Sequence, residues 1–241
     1  MASAFWWGSL ASATLLLGQL LARPLGRQHR ATGLIMGFGA GTLLSAISYE
    51  LLPEANLADA ARVGMWMFAG ALVYYAGDRL LDRRGAGMRH EIKPSGAAEG
   101  SGAAMFIGAL LDGVPESFIL GLGLAVGGTI SVAFLMAILI SNVPQGVAGT
   151  TGLKQAGYSE GRIFVMWAGL TVASGLASLL GYTIAGMVPH EGLDVKSFAA
   201  GALLMVLADS MVPEAYANGG RTVGFLTVCG FLTAAALSVA Q

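Results

Sequence analysis

The sequence has little charge, a single cysteine and few histidines, and each shortage excludes a class of protein. Only 11% of its 241 residues are charged and its mean hydropathy is +0.70, whereas a soluble domain carries about 25% charged residues. The lone Cys229 excludes an internal disulfide and a thiolate metal cluster. His29, His90 and His190 lie outside the apolar runs, which excludes imidazole ligation at the membrane midplane. Without such a base or a Gly-x-Ser-x-Gly motif, no enzyme is predicted.

What the chain does have is long apolar runs, which indicate a helical membrane protein. A helix needs about 20 residues to cross a bilayer, and we predict eight such spans, at residues 4–22, 32–52, 63–82, 102–125, 130–153, 161–187, 195–217 and 222–240. The predicted fold is therefore all-α and polytopic, one transmembrane domain over residues 1–241 with a flexible cytoplasmic loop at 83–101. The first run lacks a basic leading region, so we expect it to be retained as a helix.

Basic residues fall mainly on one side of this eight-span arrangement. With the N-terminus outside, eleven Lys and Arg residues lie in cytoplasmic loops or adjoining helix ends, and only Arg62 and Lys196 lie outside. Because cytoplasmic loops carry an excess of basic residues, we predict a multi-pass protein of the inner membrane with both termini extracytoplasmic. The lipid bilayer is thus a predicted partner, and nucleic acid is not.

The stretch at residues 110–123, LLDGVPESFILGLG, places two acids inside an apolar span. Asp112 and Glu116 are one helical turn apart and share a face, and carboxylates at that depth are costly unless they meet a cation, a proton or a donor. Pro115 also leaves the carbonyl oxygen of Leu111 without its helical donor. We predict that this helix carries part of an intramembrane cation site. The alternative is that both acids are protonated or bonded to neighbouring Ser and Asn side chains.

A second polar segment lies in the fifth span. If the fourth and fifth spans face each other, Ser141, Asn142 and Gln145 complete an oxygen-only ligand set with Asp112 and Glu116. Such sets suit harder divalent cations such as Mg, Mn or Ca. The divalent metal ion is predicted as a substrate, and no prosthetic group is predicted. Plain interhelical hydrogen bonding is the alternative for the three side chains of the fifth span.

Four further acids lie towards the ends of two other spans. Glu50 and Glu54 lie near the outer end of the second span, and Asp209 and Glu214 near the inner end of the seventh. Acids at both mouths would concentrate cations along a route, so we assign all four to a transport pathway. Solvation at a helix end is the alternative for Glu54 and Glu214.

Two internal repeats indicate inverted topology. The segment that begins at Phe38 resembles the one that begins at Phe198, at a constant offset of 160 residues, and both run on to Pro-Glu-Ala. Residues 111–116 resemble residues 140–145 at an offset of 29. The predicted topology gives the members of each pair opposite orientations, which is typical of secondary transporters with sites on interrupted helices.

At these motifs the chain resembles the Zrt/Irt-like (ZIP) family of divalent-metal transporters. DGVPES at Asp112 and SNVPQG at Ser141 stand where that family carries two His-Asn-x-Pro-Glu-Gly motifs, and segments at Gly152 and Ser174 and the Pro-Glu-Ala helix ends support the likeness. It covers nearly all eight spans and is strongest to the prokaryotic branch. The resemblance implies a 3+2+3 helix bundle, a two-metal site between the fourth and fifth helices, frequent homodimers, and movement of zinc, iron or manganese toward the cytoplasm.

The chain departs from the family pattern at the metal ligands. Glu116 and Asn142 match typical ligands, but five other positions differ, namely Asp112, Gly113, Ser141, Gln145 and Ser178. We therefore expect one oxygen-rich site, or none, in place of two. Three functions stay open: a divalent-cation carrier that works by alternating access, a transport-inactive metal sensor or assembly partner, and a carrier for another polar solute or for protons.

Overall fold

The computed structural model describes residues 2–25, 28–52, 59–81, 100–127, 130–186 and 193–240. In this part of the chain the prediction of an all-α fold is confirmed, since it contains helices and no strand. The α-helices are α1 (Ala2–Leu25), α2 (His29–Ala46), α3 (Ala60–Leu81), α4 (Gly100–Gly127), α5 (Val132–Gln155), α6 (Glu160–Ala185), α7 (Leu193–Val206), α8 (Val212–Gly219) and α9 (Val223–Val239). Ile47–Leu51 and Leu207–Met211 are π-helical, and Gly220–Thr222 forms a 3₁₀ turn. Most of the predicted loop at 83–101 lies outside the described residues.

Six stretches of the described chain are long and apolar enough to cross a membrane, where eight spans were predicted. They are Ala2–Pro24, His29–Leu51, Phe106–Ala125, Val132–Gln155, Glu160–Ala185 and Leu193–Val239. The last is 47 residues long, about twice the length that one crossing needs. The helix α3, which contains Arg62, Asp78 and Arg79, is not among them.

The long stretch Leu193–Val239 is folded back on itself. Gly220, between α8 and α9, has a positive φ of 66°, a conformation that is readily available to glycine alone. Ala215 before this turn and Val223 after it belong to the same buried cluster around Met36 of α2. The chain therefore reverses direction at Gly220, and the stretch consists of two helical legs.

Closely packed helix pairs are held by glycines that face carbonyl oxygens of the partner helix. A Cβ atom at Gly41 would collide with the carbonyl oxygen of Thr227 on α9, and one at Gly230 would collide with that of Phe38 on α2. Small residues let membrane helices approach closely. The lack of a side chain at these glycines therefore allows the backbones of the two helices to come into contact. The same reciprocal arrangement joins α3 to α7 (Gly70 on Phe198, Gly201 on Met67), α4 to α6 (Gly121 on Ser178, Gly181 on Phe118) and α1 to α5 (Gly18 on Val143, Gly146 on Leu15).

The contacts of α2 with α9 and of α7 with α3 repeat at the offset seen in the sequence. Phe38, Gly41, Thr227 and Gly230 correspond one to one with Phe198, Gly201, Met67 and Gly70, always 160 residues apart. The two π-helical segments, Ile47–Leu51 and Leu207–Met211, obey the same offset. The sequence repeat is therefore also a repeat of packing and of a helix interruption that is rare and often found at functional sites.

The glycine contacts of α4 and α5 repeat at a different residue offset from the sequence motifs of the same two helices. Their glycine contacts with α6 and α1 correspond at an offset of 25 residues, as between Gly121 and Gly146, whereas the motifs align at 29. The difference is about one helical turn. The two motifs thus keep equivalent faces but sit about one turn apart along the axes of their helices.

We expect Gly70→Ala to lower the free energy of unfolding by about 1–3 kcal/mol, the usual cost of overpacking, because the added methyl group would meet the Phe198 carbonyl. The matched control is Gly64→Ala on the same helix, where a Cβ atom would have nothing within 4 Å. That variant should be neutral or slightly stabilising, since alanine favours helix over glycine. Thermal denaturation of both variants in one detergent measures the difference, and equal stabilities would contradict the close packing of α3 on α7.

Candidate functional site

Four acidic side chains line one cavity of about 60 Å³ within the helical bundle. Asp78 comes from α3, Asp112 from α4, Asp209 from the π-helical segment after α7, and Glu214 from α8. The remaining lining consists of polar Tyr74, Gln145 and Ser210 and small Gly108, Ala109, Ala148 and Gly149. A polar space of this size can hold water or a partly hydrated ion.

The local sequence explains how the cavity arises. Tyr74 and Asp78 are four residues apart on α3 and therefore present the same face. Gly108 and Ala109 on α4 and Ala148 and Gly149 on α5 line the cavity with little or no side-chain volume. The π-helical segment Leu207–Met211, which follows α7, carries both Asp209 and Ser210. This irregular segment therefore contributes two of the polar side chains that line the cavity.

Asp112 is bonded to two different helices. The Tyr74 hydroxyl donates to Oδ1 at 2.8 Å, and the Ser210 hydroxyl donates to Oδ2 at 3.3 Å. The Asp112 side chain is 8% exposed, so both bonds form in a largely dry environment, where hydrogen bonds to a charged acceptor are stronger than neutral ones. Each carboxylate oxygen thus accepts a hydroxyl from outside α4.

Glu116 does not line the cavity, and its surroundings differ from those of Asp112. It is fully buried, and neither of its carboxylate oxygens has a hydrogen-bond partner among the residues that the structure describes. Asp112 lies one helical turn away on the same face of α4. An ionised carboxylate in this position would be costly without a positive partner, so Glu116 has to hold a proton or meet a cation.

Two polar side chains of α5, those of Ser141 and Asn142, are also buried and do not line the cavity. Asn142 donates its Nδ2 hydrogen to the carbonyl oxygen of Ala11 at 3.0 Å, while its Oδ1 has no hydrogen-bond partner among the described residues. The Ser141 hydroxyl donates to the carbonyl oxygen of Ile138 in its own helix at 3.0 Å. Asn142 therefore retains a free acceptor for a ligand, and the Ser141 proton is already engaged locally.

The acids are spread along the cavity wall. Within the described residues, no group of three His, Cys, Asp or Glu side chains is placed to hold one metal ion. A cation here would therefore meet at most two carboxylates at once. Its other ligands would be water or the neutral oxygens of Tyr74, Gln145 and Ser210, a set that suits hard, partly hydrated cations.

The structure separates the predicted site residues into two sets. Asp112, Gln145, Asp209 and Glu214 all line the cavity. Glu116, Ser141 and Asn142 are buried and do not line it. Glu50 is half-buried in the π-helical segment Ile47–Leu51, and Glu54 lies outside the described residues.

Three polar cavity residues, Tyr74, Asp78 and Ser210, were not predicted from the sequence. Asp78 is an acid inside the third predicted span, so the reasoning applied to Asp112 could have found it. Tyr74 precedes it by one helical turn, which is a weaker signal, since a tyrosine in an apolar helix is ordinary. Ser210 has no signal of its own beyond its position next to Asp209.

We expect Asp112→Asn to lower the free energy of unfolding by about 1–2 kcal/mol, because two charge-assisted hydrogen bonds lose their charged acceptor. Glu116→Gln should leave stability unchanged or raise it, because within the described part of the chain the Glu116 carboxylate has no hydrogen bond to lose. Thermal denaturation in a buffer with a metal chelator measures both variants. An equal loss in Glu116→Gln would contradict the difference between the two environments.

The chain is similar to a known metal transporter. It is 23% identical over 221 residues to zinc transporter ZIP13 of Pongo abelii, an alignment that covers 82% of this chain and 62% of that protein. No family model matches the sequence. The chain thus spans less than two thirds of the length of this relative, and the similarity extends over most of the chain itself.

Proposed function

We propose that the protein is a ZIP-type transporter of divalent cations. The observation that carries this proposal is the convergence of Asp78, Asp112, Asp209 and Glu214 on one cavity inside a bundle of apolar helices. Acids within membrane-spanning helices are rare and costly, and they mark ion pathways by default. The similarity to a zinc transporter over most of the chain supports the same function.

We further propose eight membrane spans in an inverted-repeat 3+2+3 bundle. Five of the six apolar stretches give one span each, and the folded stretch Leu193–Val239 gives two. The eighth span is α3, because α3 packs on α7 as α9 packs on α2, glycine for glycine at the 160-residue offset. The first and last three spans are then related by the repeat, with α4 and α5 between them.

In this scheme the cation leaves through the cavity toward the cytoplasm. The cavity residues of α3 and α5 lie in the halves of these helices that end near Arg79 and Lys154, and Glu214 lies in the short helix α8, which ends just before Arg221. Because cytoplasmic ends carry the basic excess, the cavity faces the cytoplasm. Asp112 and Glu116 act as primary ligands with Asn142, Gln145 and Ser141 as auxiliary ones, Asp78, Asp209 and Glu214 form the inner route, and Glu50 and Glu54 form the outer mouth.

The proposed substrate is zinc, which the similarity to a zinc transporter supports, or a harder ion such as manganese or iron, which the ligand chemistry supports. All the candidate ligands are oxygen atoms, of one or two carboxylates, amides, hydroxyls and water. Such a set is less selective for zinc than one with imidazole or thiolate. Alternating access would then expose this site to each side of the membrane in turn.

A second function is favoured by one observation. Both oxygens of Asp112 accept hydrogen bonds within the protein, as they would in a relative that keeps the fold and has lost conduction. Such a protein would be a metal sensor or an assembly partner. A carrier for another polar solute or for protons is the third function to be tested.

We expect Mn²⁺ or Zn²⁺ uptake into proteoliposomes to fall at least about tenfold in Asp112→Asn and Asp78→Asn, as for the loss of groups around a metal site. The control Glu160→Gln removes an acid that lies outside the cavity, with 55% of its side chain exposed and paired with Arg23 and Lys154. It should transport at the wild-type rate.

The wild-type protein itself separates the three functions. Metal binding without flux would contradict the carrier and favour the sensor. Neither binding nor flux would favour another solute, to be identified by titration with a panel of polar solutes and by proton flux.

A further inference from the structure

The hydrogen bonds of Asp112 connect two groups of helices, and each group is also held together by contacts between its own helices. The four-helix group consists of α1, α4, α5 and α6, which are held together by the glycine contacts of α4 with α6, of α1 with α5, and of α1 with α6, where Gly8 faces the carbonyl oxygen of Ser174. The α3–α7 pair has its own glycine contacts and the ion pair of Arg62 with Asp194. Asp112 belongs to the first group, whereas Tyr74 and Ser210 belong to the pair and its π-helical extension.

Tyr74 is built to hold its hydroxyl in place. Its side chain is 7% exposed and belongs to the same apolar cluster as Ile119 of α4 and Leu203 of α7. Because the ring is held by this packing, the position of the hydroxyl is constrained, and from that position it donates a hydrogen bond to Asp112. Because the bond is buried and its acceptor is ionisable, breaking it without replacement is costly.

The same two hydroxyls stand between Asp112 and a cation. Each points its hydrogen at one carboxylate oxygen, so an ion that approaches Asp112 from the cavity faces the positive end of an O–H bond. Each carboxylate oxygen keeps a second lone pair that can coordinate the ion, but an ion bound there repels the positive hydrogen of each hydroxyl and draws charge away from the oxygen that accepts its bond. Binding at Asp112 therefore weakens the connection between the two helix groups.

We propose that Tyr74 and Ser210 are positioning residues that latch the four-helix group to the α3–α7 pair through Asp112, and that a divalent cation opens this latch by taking Asp112 for itself. The opening by a cation rests on the proposed function, whereas the latch does not. The latch links occupancy of the site to the freedom of the two groups to move, which alternating access requires.

The latch can be tested in the absence of metal by the rate at which a thiol reagent labels an introduced cysteine. Cys229, the single native cysteine, is first replaced in Cys229→Ala so that only the probe reacts. Ile119→Cys is the probe, since Ile119 is 1% exposed and lies two turns beyond Asp112 on the same face of α4. We expect Tyr74→Phe and Ser210→Ala each to raise the labelling rate of this probe about tenfold, because each removes one hydrogen bond to a charged group. Ser210→Thr, which keeps a hydroxyl, should restore the wild-type rate.

Two controls separate the latch from general loosening. Ile163→Cys is the matched probe, fully buried in a cluster formed within the four-helix group, and its labelling should not change. Tyr75→Phe removes a neighbouring hydroxyl that contacts Arg79 in its own helix and should leave both probes unchanged. Unchanged labelling of Ile119→Cys in both latch variants, or an equal rise at Ile163→Cys, would overturn the proposal.

Metal affinity gives a second test that needs no introduced cysteine. We expect Tyr74→Phe to bind Mn²⁺ about tenfold more tightly than the wild type by titration calorimetry, because the ion no longer has to break the bond. If Tyr74 were a metal ligand, Tyr74→Phe would bind Mn²⁺ more weakly, and if Tyr74 only filled space, the affinity would not change. Either result would overturn the proposal that a cation opens the latch. If no variant and no wild-type protein binds metal, the proposed function fails, and the labelling result alone decides on the latch.

Discussion

A carboxylate in an apolar helical bundle has to be met by a donor, a proton or a positive ion, and this requirement organises the centre of the molecule. Asp112 satisfies it with two hydroxyls brought by other helices. Glu116, one turn further along, has no hydrogen-bond partner among the described residues. The two acids share one helix face but differ in stabilisation, because hydroxyls of the described helices donate to Asp112 and none of them donates to Glu116.

The packing of the helices determines where Asp112 and Glu116 lie in the bundle. Reciprocal glycine contacts bring the helix pairs close, and they repeat at 160 residues between α2–α9 and α7–α3. The π-helical segments repeat as well, but their polar residues do not: Asp209 and Ser210 of one segment correspond to Tyr49 and Glu50 of the other. The two halves therefore share a scaffold and differ in chemistry. A polar cavity lies beside the second segment, whereas the residues of the first segment do not line it.

Much of the scaffold could be predicted from the sequence because it depends on local composition. Apolar length predicts the helices, and the 160-residue repeat anticipates matched packing. The site was only partly predictable. Helical spacing places Asp112 and Glu116 on one face, but it cannot tell that Asp112 lines the cavity and Glu116 does not. The partners of Asp112 come from other helices, and no spacing rule connects Tyr74 to residue 112. The register of α4 against α5 is set by glycine contacts with α6 and α1, so the motif offset of 29 could not give it. Asp78 was missed although its signal was present.

The central claim is that these buried acids serve a divalent cation, and anomalous scattering from crystals soaked in Zn²⁺, Mn²⁺ or Cd²⁺ tests it most directly. We expect a peak inside the cavity at coordination distance from Asp112, about 2.0–2.6 Å from its oxygens, with the hydroxyls of Tyr74 and Ser210 turned away. Peaks confined to the protein surface, with both hydroxyls still bonded to Asp112 at saturating metal, would contradict it.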